Sequence, residues 1–190
     1  MLPIITISRE VGSGGHSIGK MVADQLGIPF YDRDIIEQVV VSTGYDVKKI
    51  EDKGEFASMW DKYLNARFYN GLYIGDDQDK IFSAQKKVIL DLAQKGPCVI
   101  VGRCADAILA ENNIPSLNVF VHADLETRIK RSNLDEKTLV KKDKGRQYYY
   151  RFYTEREWGD YPNYHLNLDS GYLGLDACAD IIAQVAQNKE

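Results

Sequence analysis

At 190 residues, with 24 basic side chains, 28 acidic ones and a net charge of −4, the chain has the size of one domain or of one domain with inserts. Its mild acidity excludes a general attraction for nucleic acid or anionic membrane, and no apolar run approaches the roughly 20 residues of a membrane span. The cysteines Cys98, Cys104 and Cys178 show neither metal-ligand spacing nor a disulfide framework, which favours a reducing cytoplasm.

The chain runs from its first residues into a β-branched strand over 4–8, so no signal peptide is expected. A glycine-rich turn follows, Gly12-Ser13-Gly14-Gly15, and then a helix with Ile18, Val22 and Leu26 along one stripe. Strand, glycine loop, helix is the order that builds a phosphate cradle: loop N–H groups and the helix dipole aim at one anion. The usual form is GxxxxGK[ST], whose lysine reaches the outer phosphates. Here the expected lysine is missing. Gly27 and Pro29 end the helix, and residues 30–32 form a short second strand that leads to Asp32 and Arg33.

Beyond Gly44 the pattern weakens. Short helices are expected at 47–50 and 59–64, among the aromatics Phe56, Trp60, Tyr63, Phe68, Tyr69 and Tyr73. Residues 81–92 read as a long amphipathic helix. The apolar runs 98–101 and 117–121 read as strands buried on both faces. Asp124 is placed to cap the next helix. Residues 126–151 carry nine Lys/Arg against four Asp/Glu, whereas residues 152–190 carry two against seven. That basic segment reads as mostly helical with a break near Gly145, and its charge points to a local polyanion, or else to a solvated helix face. Residues 164–168 form a last strand before a closing helix. Strands alternating with helices predict an α/β fold with a parallel sheet. Ligands of such sheets lie at the carboxyl ends of the strands, where the glycine loop, Asp32-Arg33 and Gly102-Arg103 all fall.

Residues 4–27 resemble, without gaps, the phosphate-loop strand and helix of the cytidylate kinases. Tyr31-Asp32-Arg33, Val99 through Asp106, Tyr149 through Thr154, Trp158-Gly159-Asp160 and Asn163-Tyr164 extend the likeness across nearly the whole chain. The altered loop Ser8-Arg9-Glu10-Val11-Gly12-Ser13-Gly14-Gly15 is closer still to the cytidylate kinase-like family, a branch of the nucleoside monophosphate kinases. The resemblance implies a three-layer P-loop NTPase/nucleoside monophosphate kinase fold with a parallel sheet. It implies one domain over 1–190: a core of 1–32, 97–125 and 158–190, a helical acceptor-binding insert over 33–96, and a basic helical lid over 126–157. It implies transfer of the γ-phosphoryl group of ATP, with Mg²⁺, to a nucleoside monophosphate or similar small acceptor.

Phosphoryl transfer needs backbone donors, cations and closure more than covalent chemistry. The loop donors are Gly12, Ser13, Gly14, Gly15, His16 and Ser17. Ser17 keeps a hydroxyl for phosphate or for a Mg²⁺ water, or serves only as a helix cap. In the likeness to the cytidylate kinases Arg9 replaces the first glycine and Gly15 the lysine, with His16 and Ser17 next, and Arg9 either contacts phosphate or pairs with Glu10 or Asp32. The resemblance carries a monophosphate-binding arginine onto Arg103, against the plain alternative of an ion pair with Asp106 or Asp32. The acids that flank that arginine in cytidylate kinase are absent, which leaves the base open; Asp106, one turn on, is a substitute. Asp32 and Arg33 sit where the family places acceptor contacts, with orientation of a Mg²⁺ water the alternative for Asp32. Arg128, Arg131, Arg146 and Arg151 are the lid candidates for the reacting phosphates. Because the lysine is missing, a nucleotide-binding regulatory protein with weak catalysis is the alternative. No Asn-Lys-x-Asp guanine motif supports a GTP switch, and no nucleic-acid partner is expected. The aromatic insert is compatible with a homodimer.

Overall fold

The computed structural model describes residues 2–32 and 76–188. Within them β1 (Ile4–Arg9) leads through the glycine loop to α1 (Gly15–Leu26) and β2 (Phe30–Tyr31). The description resumes with α2 (Asp76–Gln94), β3 (Val99–Val101), α3 (Ala105–Glu111), β4 (Ser116–His122), α4 (Leu125–Ser132) and α5 (Glu136–Thr154). A 3-10 turn (Tyr161–Asn163), β5 (Leu166–Asp169), α6 (Ser170–Leu173) and α7 (Leu175–Gln187) follow. The chain divides into two compact units, Met1–Asp32 with Ile89–Glu190, and Arg33–Val88. The second unit contributes the first part of α2, in which Gln85 and Val88 are buried. The helices expected at 47–50 and 59–64, the six aromatics around them, and Arg33 lie outside the described residues.

The five strands are all parallel, in the order β2-β3-β1-β4-β5. Parallel neighbours need crossover connections, and helices supply them here. The central strand β1 pairs Ile5 with Val99 and Ile7 with Val101 on one side, and runs from Ile4–Ser116 to Arg9–Val121 on the other. Strand side chains alternate between faces. Ile5, Ile7, Val99, Val101, Leu117, Val119 and Val121 therefore share one face, where they pack with Ile18 and Val22 of α1 and Cys178, Ala179 and Ile182 of α7. The opposite face holds Thr6, whose hydroxyl donates to Asn118 Oδ1 at 2.8 Å, an acceptor that Ser116 Oγ also reaches. With both faces covered, the strands read as apolar runs and not as an alternating pattern.

Local signals set the helix ends. Gly27 closes α1 in the left-handed region, with φ 63°, and donates back to Ala23 and Asp24 carbonyls. Asp124 caps α4 as expected, accepting from Thr127 N at 2.9 Å. The break in the basic segment falls elsewhere than Gly145. Asn133, at φ 55°, ends α4, and Asp135 caps α5 by accepting from Thr138 N at 2.6 Å. Gly145 lies buried inside α5. An interior glycine costs only about 1 kcal/mol of helix propensity, less than tertiary packing restores.

Candidate functional site

The sequence order of the sheet puts the ends of β2, β3 and β1 side by side, and with them Asp32, Gly102-Arg103 and Arg9. The loop from β1 to α1 is built around its glycines. Gly12 has φ 79°, and a Cβ there would lie 2.6 Å from the Arg128 carbonyl oxygen of α4, so the backbone alone fits. Gly14 is the N-cap of α1 at φ 83° and offers no side-chain cap, and α1 has no acid in its first turn. By contrast α4, α5 and α6 are capped by Asp124, Asp135 and Asp169. The first N–H groups of α1, at Gly15, His16 and Ser17, thus form an uncapped, electropositive helix start.

The basic segment is tied to this loop from behind. Arg128, buried in α4, donates from Nε to Val11 O at 2.8 Å and pairs with Glu10 Oε2 at 3.2 Å and with Asp143 Oδ2. Asp143 of α5 accepts from Val11 N at 2.9 Å through its other oxygen. Arg131 reaches Ser13 O at 3.2 Å and holds Ser170 through its hydroxyl (3.0 Å) and carbonyl (2.9 Å). Ser170 Oγ also lies 2.5 Å from Ser13 O and is fully buried. The C=O and N–H of a trans peptide unit point in opposite directions. Val11 O and Ser13 O, held by Arg128 and Arg131, therefore turn the Gly12 and Gly14 N–H groups away from those helices.

On the other side three guanidinium groups gather near one acid. The Arg9 side chain is 21% exposed, and its Nη2 lies 3.6 Å from Asp32 Oδ1. Arg146 of α5 donates from Nη1 to Arg9 O at 2.7 Å. Burial, and then the neighbouring charge of Arg146, lower the Arg9 pKa to about 10, with Arg103 adding to the effect against the opposing pull of Asp32. Burial also lowers Arg146, with Asp143 and Asp32 opposing and Arg103 and Arg128 adding to the shift. Both shifts are led by loss of hydration on burial, with neighbouring like charges adding to it. Asp32 is shared with His16, whose Nε2 is 3.4 Å from Oδ2 and whose exposed ring meets Phe30 edge-on. Arg103 sits in a turn of three successive positive φ values, Gly102 79°, Arg103 59° and Cys104 55°. Such backbone in residues bearing a Cβ costs energy and collects at functional sites.

Two candidates stand apart from this group. Arg151 is exposed and pairs with Glu157 Oε1 at 3.1 Å. Asp106 is buried in α3 and accepts from the Tyr150 hydroxyl at 2.6 Å, tying α5 to the core. Burial raises the Asp106 carboxyl above its ordinary range against that hydrogen bond, and burial beside Asp106 raises the Tyr150 phenol. Burial, and then the charge of Asp106, push the Tyr164 phenol up to about 12. Sequence reasoning passed over Asp143, Ser170 and the seat at Gly102. Asp143 carried a signal, as an acid inside the run Lys141-Lys142-Asp143-Lys144; Ser170 carried none.

Among the described residues no three His, Cys, Asp or Glu side chains are grouped to hold a metal. Mg²⁺ bound with a nucleotide keeps waters and phosphate oxygens and takes few protein ligands, so the donor set fits it: the Ser17 hydroxyl on α1 and the Asp32 carboxylate border the loop.

A parallel 2-3-1-4-5 sheet whose central strand feeds a glycine loop, with arginines converging on that loop, defines a P-loop kinase-like protein. The chain belongs to the cytidylate kinase-like family, whose model matches residues 4–172. Among solved structures it is similar to an uncharacterized protein from Eubacterium ventriosum, at 29% identity and TM-score 0.71, covering 98% of this chain and 99% of that one. The shikimate kinase from Acinetobacter baumannii in complex with shikimate shares the fold at 16% identity and TM-score 0.56, covering 100% and 96%. A gluconokinase from Sinorhizobium meliloti does so at 15% identity and TM-score 0.55, covering 98% and 95%. Comparison with curated proteins gives no match. No helix among the described residues is long and apolar enough to cross a membrane.

Proposed function

We propose that this chain is an ATP- and Mg²⁺-dependent phosphotransferase acting on a nucleoside monophosphate or a similar small phosphorylated acceptor. The observation that carries the proposal is the meeting of an uncapped α1 N-terminus with Arg9, Arg103 and Arg146 around one carboxylate, Asp32. ATP supplies the phosphoryl group and Mg²⁺ neutralises its oxygens. The N–H groups of Gly12, Gly14, Gly15, His16 and Ser17 bind the phosphates, and Ser17 holds the metal. Arg9 and Arg146 offset charge that spreads in transfer, and Arg103 with Asp32 receives the acceptor. Arg128 and Arg131 orient the loop. The reading places the enzyme in the cytoplasm, which suits three buried free cysteines.

Incubation with ATP, Mg²⁺ and a panel of monophosphates should give ADP formation that depends on one acceptor class. ADP formation at background with every acceptor would count against the proposal. Gly15 in the lysine position favours a second reading, a nucleotide-binding regulatory protein. In that case ATP raises Tm and no acceptor is phosphorylated.

A further inference from the structure

We infer that Arg9 is the working cation of this phosphate loop, and that Gly15 is a glycine because the Arg9 side chain occupies the space a side chain there would fill. The inference rests on the proposed function and names the group that replaces the missing lysine.

Two glycines distant in sequence border this side chain. A Cβ on Gly15 would lie 2.5 Å from Arg9 Cβ and 2.9 Å from Arg9 Cγ. Those atoms are the root of the side chain, so swinging its far end relieves nothing. A Cβ on Gly102 would lie 2.0 Å from Arg9 Nη1, the movable tip of the side chain; Gly102, at φ 79°, is a glycine for its backbone already, and the contact marks where the guanidinium sits. The side chain therefore leaves the end of β1, crosses the first residue of α1, and sets its guanidinium beside the end of β3, with Asp32 beyond at 3.6 Å. Relative to GxxxxGK, bulk and charge have been added at the first position and removed at the seventh. These two changes are one exchange: the lysine position is empty of side chain because the arginine crosses it. A cation here stands between the loop donors and Arg103, where phosphoryl charge passes from donor to acceptor. Asp32, shared with His16, is its one acidic partner among the described residues. Arg146 fixes the same residue by its carbonyl, at 2.7 Å.

It follows that restoring the lysine does not repair the loop. With Arg9 present, Gly15→Lys displaces the existing cation; with Arg9 removed, it fits. Calorimetric titration of MgATP into wild type, Arg9→Met, Gly15→Lys and the double variant Arg9→Gly/Gly15→Lys tests this, with thermal unfolding of each. Arg9→Met keeps the apolar stem and drops the charge. Arg9→Met and Gly15→Lys should each bind MgATP about tenfold or more weakly, the loss expected of one charge-assisted phosphate contact. The double variant should regain most of that affinity and should melt above Gly15→Lys, because the clash is gone. With an accepted monophosphate, Arg9→Met should lose about 100-fold in kcat, as for removal of a transition-state donor. Arg9→Met binding as wild type, Gly15→Lys gaining affinity with Arg9 intact, or a double variant no more stable than Gly15→Lys would each overturn the inference. Wild type that binds no MgATP overturns the proposed function itself, a result separable from these.

Discussion

The arginines behind the phosphate loop and those in front of it are chemically identical and do opposite things. Behind, Arg128 and Arg131 meet carbonyls, a serine and two carboxylates, so their charge is used up in holding the loop. In front, burial strips Arg9 and Arg146 of water, Arg103 adds like charge to both, and Asp32 is the counter-charge the two share. The first group holds architecture together, and the second gathers at the strand ends around one shared carboxylate, the kind of place an anion enters. The basic segment supplies both kinds, which is why its overall charge did not distinguish a lid from a scaffold.

The sharpest way to break this contrast is Arg128→Ala. It leaves Glu10 and Asp143 facing each other without their partner, so unfolding in denaturant should show a loss of about 3–5 kcal/mol. A near-neutral result would move Arg128 out of the scaffold. In front, Arg103→Ala should raise acceptor KM tenfold or more, a charge-assisted contact being worth roughly 1.5–3 kcal/mol, while stability changes far less than in Arg128→Ala. Denaturant midpoint and steady-state kinetics on the same sample separate the two. Tyr150→Phe leaves the buried Asp106 without its donor and should cost about 1–3 kcal/mol. The same carboxyl makes stability depend on pH. Its folded pKa lies above the unfolded value, so the folded state holds the extra proton, and stability falls as pH rises from about 4 through the raised value. Asp106→Asn should remove that slope, read from Tm across acid pH. The smallest effect belongs to Arg151→Ala, whose exposed pair with Glu157 should shift stability by less than about 0.5 kcal/mol. A clear loss of turnover there would bring Arg151 into the front group.

Much of the frame was legible because it is written locally. Apolar runs gave β1, β3 and β4, the stripe Ile18–Val22 gave α1, and Gly27 and Asp124 marked helix ends within a few residues of their effect. The site was legible only in its members. Arg9, Asp32, Arg103 and Arg146 could be named as candidates, but their division into front and back depends on contacts such as Arg128 to Val11, 117 residues apart. No spacing rule reaches that far. Asp106 shows the limit well: as an acid one turn past Arg103 it read as an acceptor ligand, yet helix α3 turns it inward to Tyr150. Gly102 read as the end of a strand, and its second role emerges only once a side chain from another strand is seen to lie against it.

The left-handed turn at Gly102-Arg103-Cys104 has a consequence for evolution in the laboratory. A residue with a Cβ held at φ 59° carries a penalty of about 1–2 kcal/mol that glycine would escape. Selection for thermal tolerance alone would thus push position 103 toward glycine and discard the guanidinium. Selection for phosphoryl transfer would pull it back. At that one position heat resistance and competence are rival optima, and a library sorted by the two criteria should split there.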